Sequence, residues 1–385
     1  MHSSNRTQLL ITVPLLAIAL LISSCDISGS DSDNDSTIEP PENYEFTRDG
    51  ESTVAFPGQN DRLNMVEEMK AYIATAHEGD VLSEQALLDM YENTDGNGGG
   101  NFSFTSDRDL KSKTFAPDRD NNLFEGFFAA AAAASENGQA DNGKAGLLQR
   151  GDGQILVDEK GREFTQLVEK GLMGAVFYNQ IFNVYLTDEK IGPNIENSET
   201  EEGANYTAKE HHFDEAFGYF NAPADFESDW PDSRSDELRF WSKYSNGSDA
   251  QLGFNDKIMD AFILGRTAIV NGNHSKLEEQ VDVLYEELEL LSAATAVHYI
   301  NSTLSHLNDD NTGEAFHALS EAWAFVNALK YSPNRKITND QIDQILNTDF
   351  GENGNFWKVT PSGLNNAKST LVETYPDLES VQDQL

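Results

Sequence analysis

Helical periodicity sustained over most of the length is what most constrains this chain, because strand signals are almost absent. In Gln59 to His77 the residues Leu63, Val66, Met69 and Ile73 fall near one face, as an amphipathic helix requires. Ser83 to Tyr91 reads as a second helix. Leu123 to Glu136, with its run of alanines, is a strong third one, able to pack closely. Longer helical segments follow at Arg162 to Tyr185, Tyr206 to Phe220, Asp256 to Val270, Leu277 to Leu307, Gly313 to Tyr331 and Asn339 to Leu346. Between Trp230 and Trp241, Pro231 and polar residues make a linker, with room for one helical turn at Glu237 to Tyr244. Gly151-Asp152-Gly153, set between Leu147-Leu148 and Ile155-Leu156-Val157, reads as a small hairpin. Asn93 to Gly100 has calcium-loop composition but lacks the ordered acidic ligands and closing glutamate, so a flexible loop is expected. The expected fold is all-α, of helical-bundle type, with a small β-hairpin insertion.

An internal echo suggests how the helices are organised. His211-His212-Phe213-Asp214-Glu215-Ala216-Phe217-Gly218-Tyr219-Phe220-Asn221-Ala222 and His317-Ala318-Leu319-Ser320-Glu321-Ala322-Trp323-Ala324-Phe325-Val326-Asn327-Ala328 share one pattern. Both read His, three residues, Glu-Ala, aromatic, small, aromatic, any residue, Asn-Ala. Upstream, Ala175-Val176-Phe177-Tyr178 answers Ala296-Val297-His298-Tyr299, in the same order. Two related halves, 44–225 and 226–385, packed about a pseudo-twofold axis, are the expectation.

The N-terminus sets the address. Arg6 precedes an apolar run from Leu9 to Ile22, shorter than the about 20 residues a spanning helix needs and of signal-peptide length. Leu21-Ile22-Ser23-Ser24-Cys25 resembles a bacterial lipobox. Residues 1–24 are expected to be a signal peptide, with Cys25, the only cysteine, carrying the lipid. The acidic and proline-bearing stretch 25–43 has little to bury and is expected to be a disordered tether. The membrane is thus a partner through lipid alone, and an exported, outer-membrane location is expected, on the periplasmic or surface face. With 66 acidic against 26 basic residues, the net charge of −40 repels nucleic acid. A saline habitat accounts for such a balance without any acidic binding function. The 38% of hydrophobic residues and 22 Phe still supply a sizeable core.

One cluster has the composition of a chemical site. Residues three or four apart share a helix face, so His212 with Glu215, His211 with Glu215, and His211 with Asp214 project together. Two imidazoles and two carboxylates within a turn suit iron, zinc or copper, and a complete site needs ligands from another helix. His317 and Glu321, His298 and Glu169 are the candidates. Such pairs also serve as plain ion pairs or packing pairs, and both readings stand at this point. Peptidase and nucleotide signatures fail: His77-Glu78 meets Val81-Leu82 where a second histidine belongs, and Gly143-Lys144 is followed by Ala145. No Gly-x-Ser-x-Gly elbow is present.

His212-x-x-Glu215 followed by aromatic and small residues resembles the His-x-x-Glu helix of imelysin-like proteins, the iron-regulated protein A type. More closely, Gly58-Gln59-x-x-Arg62-Leu63-x-Met65, Glu169-Lys170-Gly171-Leu172-Met173-Gly174-Ala175, Glu210-His211-His212-x-Asp214-Glu215-Ala216-x-Gly218-Tyr219 and Leu319-Ser320-Glu321-Ala322 resemble a branch of Bacteroidetes lipoproteins of unknown function. The resemblance implies exported, two-halved, α-helical proteins concerned with metal, chiefly iron, uptake beside an outer-membrane partner. Glu210 and Ala318 depart from the imelysin pattern, so metal binding carries over only to His212 and Glu215. A structural His/Glu helix in a binding lipoprotein, and a metal-dependent hydrolase with Glu215 as general base, are the competing expectations.

Overall fold

The computed structural model describes residues 37–385. The signal segment, Cys25 and most of the tether lie outside the described residues. A short strap carries β1 (Thr47–Arg48) and β2 (Glu51–Ser52), and leads into α1 (Pro57–Ala74) and α2 (Glu84–Glu92). Next come α3 (Pro117–Ser135) and the antiparallel hairpin of β3 (Gly146–Arg150) and β4 (Gly153–Val157), with Leu148 opposite Ile155. The helix α4 (Phe164–Leu172) continues through two wide π-helical stretches, Met173–Tyr178 and Ile181–Tyr185. The remaining helices are α5 (Asp188–Ile191), α6 (Ala208–Phe220), α7 (Phe240–Leu252), α8 (Phe254–Val270), α9 (His274–Asn308), α10 (Thr312–Ala328), α11 (Asn339–Gln344) and α12 (Pro361–Thr374). The fold is all-α with small antiparallel hairpins.

α4 is the centre of the bundle. Every residue from Glu163 to Phe182 is buried, polar ones included, so the segment reads as a helix enclosed on all sides. α1, α3 and α10 pack against it, and α10 lies along the 35-residue α9. Aromatic stacking closes the layer: the Tyr178 ring lies 3.7 Å from that of Trp241 on α7, with 6° between their planes. Residues Ile38–Leu385 make one compact unit, so helices of both sequence halves share one core. The two echoing helices have different neighbours. α10 packs on α9 and α4, whereas α6 packs on α1, α5 and α8 and on the π-helical extension of α4.

The Asn93–Gly100 segment, expected to be a flexible loop, is wound into two short 3-10 turns. Asn93 pins it: its Oδ1 accepts from Gly98 N at 2.9 Å, and its Nδ2 donates to the carbonyls of Ser106 and Arg108. The end of the expected tether is also seated on the body, because Ile38 N donates to Asn271 Oδ1 and Asn271 Nδ2 donates back to Ile38 O. These reciprocal bonds give the backbone a partner that composition could not reveal.

Candidate functional site

α6 starts at a reciprocal cap. Thr207 Oγ1 accepts from Glu210 N at 3.2 Å, and Thr207 N donates to Glu210 Oε2 at 2.8 Å. That box fixes the helix start and therefore the direction in which each of the next four side chains leaves. Successive residues are about 100° apart on the helix, so the cluster read from the sequence divides among separate surroundings.

Asp214 points inward. Its Oδ1 accepts from Tyr44 OH at 2.7 Å and from Arg266 Nε at 2.9 Å, and its Oδ2 is buried without a partner. Arg266, itself fully buried on α8, also reaches Glu210 at 3.1 Å and Thr53 Oγ1 at 3.0 Å, while Arg48 grips Glu210 from the strap at 2.9 Å. Burial pushes the Asp214 carboxyl up to about 6, with Arg266 pulling it the other way. This network ties the strap to α6 and α8. His211 takes a third direction, its ring stacked 4.4 Å from that of Tyr206 and its Nδ1 buried without a partner.

His212 and Glu215 remain together and half-buried. His212 Nδ1 lies 2.9 Å from the Lys190 carbonyl. A carbonyl only accepts, so Nδ1 carries the proton and Nε2 keeps its lone pair, with Lys190 Nζ at 3.5 Å. Burial lowers the His212 pKa, which keeps the ring neutral near pH 7. Glu215 Oε1 accepts from Gln59 Nε2 and from Tyr185 OH, both at 3.0 Å, which leaves Oε2 uncommitted. Gly218, one turn on, makes this approach possible: a Cβ there would stand 2.6 Å from that of Phe56, just ahead of α1. Lys113 lies within electrostatic reach of Glu215, Arg62 and Lys190, and Lys190 itself stands at His212. Burial lowers the Lys113 pKa and Arg62 adds to the effect, while Glu215 opposes it. The Tyr219 hydroxyl lacks a hydrogen-bond partner, and burial pushes its pKa up to about 12.

Glu169, Glu321 and His317 meet elsewhere, along the contact of α4 with α10. Lys70 reaches Glu169 at 2.8 Å, and Glu169 pairs with Lys170 at 2.5 Å. Lys170 faces Glu321 at 3.8 Å, Glu321 lies 3.6 Å from His317, and His317 Nδ1 lies 2.6 Å from Glu163. Lys70, Glu169, Lys170 and Glu321 alternate in sign, and the last three are buried. His298 stands exposed on α9 with its ring against that of Tyr299. The structure therefore does not bring the second-half candidates to His212. Among the described residues, no three His, Cys, Asp or Glu side chains gather as ligands of one metal ion.

Sequence reasoning missed Lys113, Lys190, Tyr185 and the hydrogen bond of Gln59. Gln59, Arg62 and Tyr219 did lie in the quoted motif segments. The two lysines sit outside any motif and reach the site only through the chain path. Fold and site define an all-helical bundle protein with one half-open His/Glu face and two buried ion networks. The chain belongs to the DUF4856 family, a domain of unknown function, which matches residues 41–376. No curated protein and no solved structure matches the chain.

Proposed function

We propose that this is a lipid-anchored protein of the cell envelope that assists metal acquisition, iron foremost. In this reading His212 and Glu215 receive the metal while it still carries an anionic chelator. The observation that carries it is the fixed tautomer of His212, whose Nε2, met only by Lys190 Nζ at 3.5 Å, lies on the same face as the uncommitted Glu215 Oε2. Two donors fill only part of a metal's coordination shell, so the residues present fit an ion that brings its other ligands with it. Lys190 at His212 and Lys113 within electrostatic reach of Glu215 oppose a bare cation and favour an anionic chelate, which would draw the Lys190 ammonium away from the imidazole. The imelysin-like His-x-x-Glu pattern supports the same residues.

Titration calorimetry with ferric citrate, and with zinc and ferrous ions alone, tests this. The chelate is expected to bind more tightly than either free ion. His212→Ala should lower its affinity about 10-fold or more, with the helical circular dichroism unchanged. Because the His212 pKa is lowered, binding should persist at pH 7 and weaken only as pH falls below the ordinary histidine range, where the ring gains its proton. Equal affinity of wild type and His212→Ala removes the reading. The anchor is tested separately: Cys25→Ala should move the protein out of the membrane fraction, since one lipid-bearing cysteine is the attachment proposed. Undiminished membrane recovery would count against it.

A further inference from the structure

A second concentration of positive charge stands apart from the His212 face. A cavity of about 440 Å³ opens where the 3-10 turn ending α10 meets α3 and α11, and Arg119, Lys330, Arg335, Asn327, Asn339 and Asp343 line it. Three of the chain's 26 basic residues converge here, although the net charge of the whole is −40. The five charged groups at the cavity, counting Asp120 beneath it, leave an excess of one positive charge.

The donors are only partly used inside the protein. Arg119 spends Nε and Nη2 on Asp120, at 2.8 and 2.9 Å, and its side chain is 59% exposed. Arg335 Nη2 donates to Asn339 Oδ1 at 2.9 Å, and its Nη1 to the Ser332 carbonyl at 3.2 Å. Its Nε is buried with no acceptor. Lys330 Nζ donates to Asn327 Oδ1 at 2.8 Å and stands 3.9 Å from Asp120. Because Asn327 and Asn339 accept through their carbonyl oxygens, their amide N–H groups are further donors. A guanidinium has five N–H groups in a planar fork that matches carboxylate and phosphate oxygens, and a buried one without an acceptor is costly.

We propose that this cavity is a binding site for a small anion bearing carboxylate or phosphate groups, clasped by Arg119 and Arg335 with Lys330 at its base. The volume suits a metabolite-sized ligand. Burial pushes the Lys330 pKa down to about 8, Asp120 and Asp343 act against that shift, and Arg119 adds to it. The Tyr331 ring lies under the ammonium, 5.1 Å from Nζ. An anion in the cavity favours the charged form of Lys330, so binding takes up protons near pH 8. Affinity is therefore full below that value and declines as pH rises through it.

Calorimetric titration of the full chain with inorganic phosphate and, separately, with succinate decides the matter. Saturable binding of phosphate alone, or of succinate alone, supports the site and names the group it takes. The affinity for succinate should fall by up to about 10-fold between pH 7 and pH 9, the most that one group titrating near 8 allows, and by about 10-fold in Arg335→Gln. Arg119→Gln, compared with wild type at matched helical circular dichroism because it also unpairs the buried Asp120, should weaken binding in the same direction, and His212→Ala should leave it unchanged. Absence of heat with both anions, or equal affinity of Arg119→Gln, Arg335→Gln and wild type, overturns the proposal.

Discussion

Arg266→Ala is expected to lower the unfolding free energy by about 3–5 kcal/mol, read from urea denaturation at pH 7. The guanidinium is fully buried and is the shared partner of Asp214, Glu210 and Thr53. Its removal leaves Asp214 with Tyr44 alone, and Glu210 held only by Arg48 and its own cap. The strap carrying Tyr44 and Phe46 should loosen as well, because the Phe46 ring lies 5.0 Å from the Arg266 guanidinium. Arg266→Met combined with Asp214→Asn should recover part of the loss, since the uncompensated charge goes with it. A pH dependence accompanies this network. The folded pKa of Asp214 is raised to about 6. Its contribution to stability is therefore present below the ordinary aspartate range and lost as pH rises through about 6. Asp214→Asn should lack that loss, so its deficit relative to wild type should shrink between about pH 4 and 6. An unchanged deficit over that window would show that Asp214 does not titrate there.

Lys170→Met should cost about 3 kcal/mol or more at pH 7, by the same measurement. The ammonium lies between Glu169 and Glu321, and all three groups are buried at the contact of α4 with α10. Burial raises the pKa of Glu169, yet Lys170 and Lys70 more than offset it, so its folded value is lowered. Glu169 thus contributes stability above the ordinary glutamate range that is lost as pH falls through its depressed folded value. In Lys170→Met much of that contribution is already gone. The gap between variant and wild type should be widest near pH 7 and close as the carboxylates protonate. A gap that stays constant as pH falls well below the ordinary glutamate range would mean that lost packing of the lysine stem, rather than charge, sets the cost.

The helices were legible wherever apolar residues recur at helical spacing over several turns. α1, α6, α8, α9 and α10 lie within a few residues of their expected bounds, and so does the hairpin around Gly151. α7 was underestimated as one turn: Ser242, Ser245 and Ser248 face inward there, where small polar residues allow close contact but carry no hydrophobic signal. α12 was not expected either, since Leu364, Ala367 and Leu371 are its only buried residues. The π-helical turns of α4 were invisible, because in a segment buried on nearly every side the sequence pattern of one wide turn does not differ from that of an α-turn.

The candidate site divides along the same line. Residue spacing determined that His212 and Glu215 share a face, because helix geometry alone fixes which neighbours in sequence are neighbours in space. It also determined the all-α class and the helix that carries the pair. Only the tertiary structure decided that Asp214 and Glu210 serve Arg266, that Glu321 and His317 serve the α4 contact, and that Lys190 comes to His212 and Lys113 within electrostatic reach of Glu215. The physical reason is that a carboxylate or imidazole has the same local propensity whether it faces a metal, an ammonium or an arginine. Its role is set by the charge that the rest of the chain brings within a few ångströms, and that depends on how the helices cross.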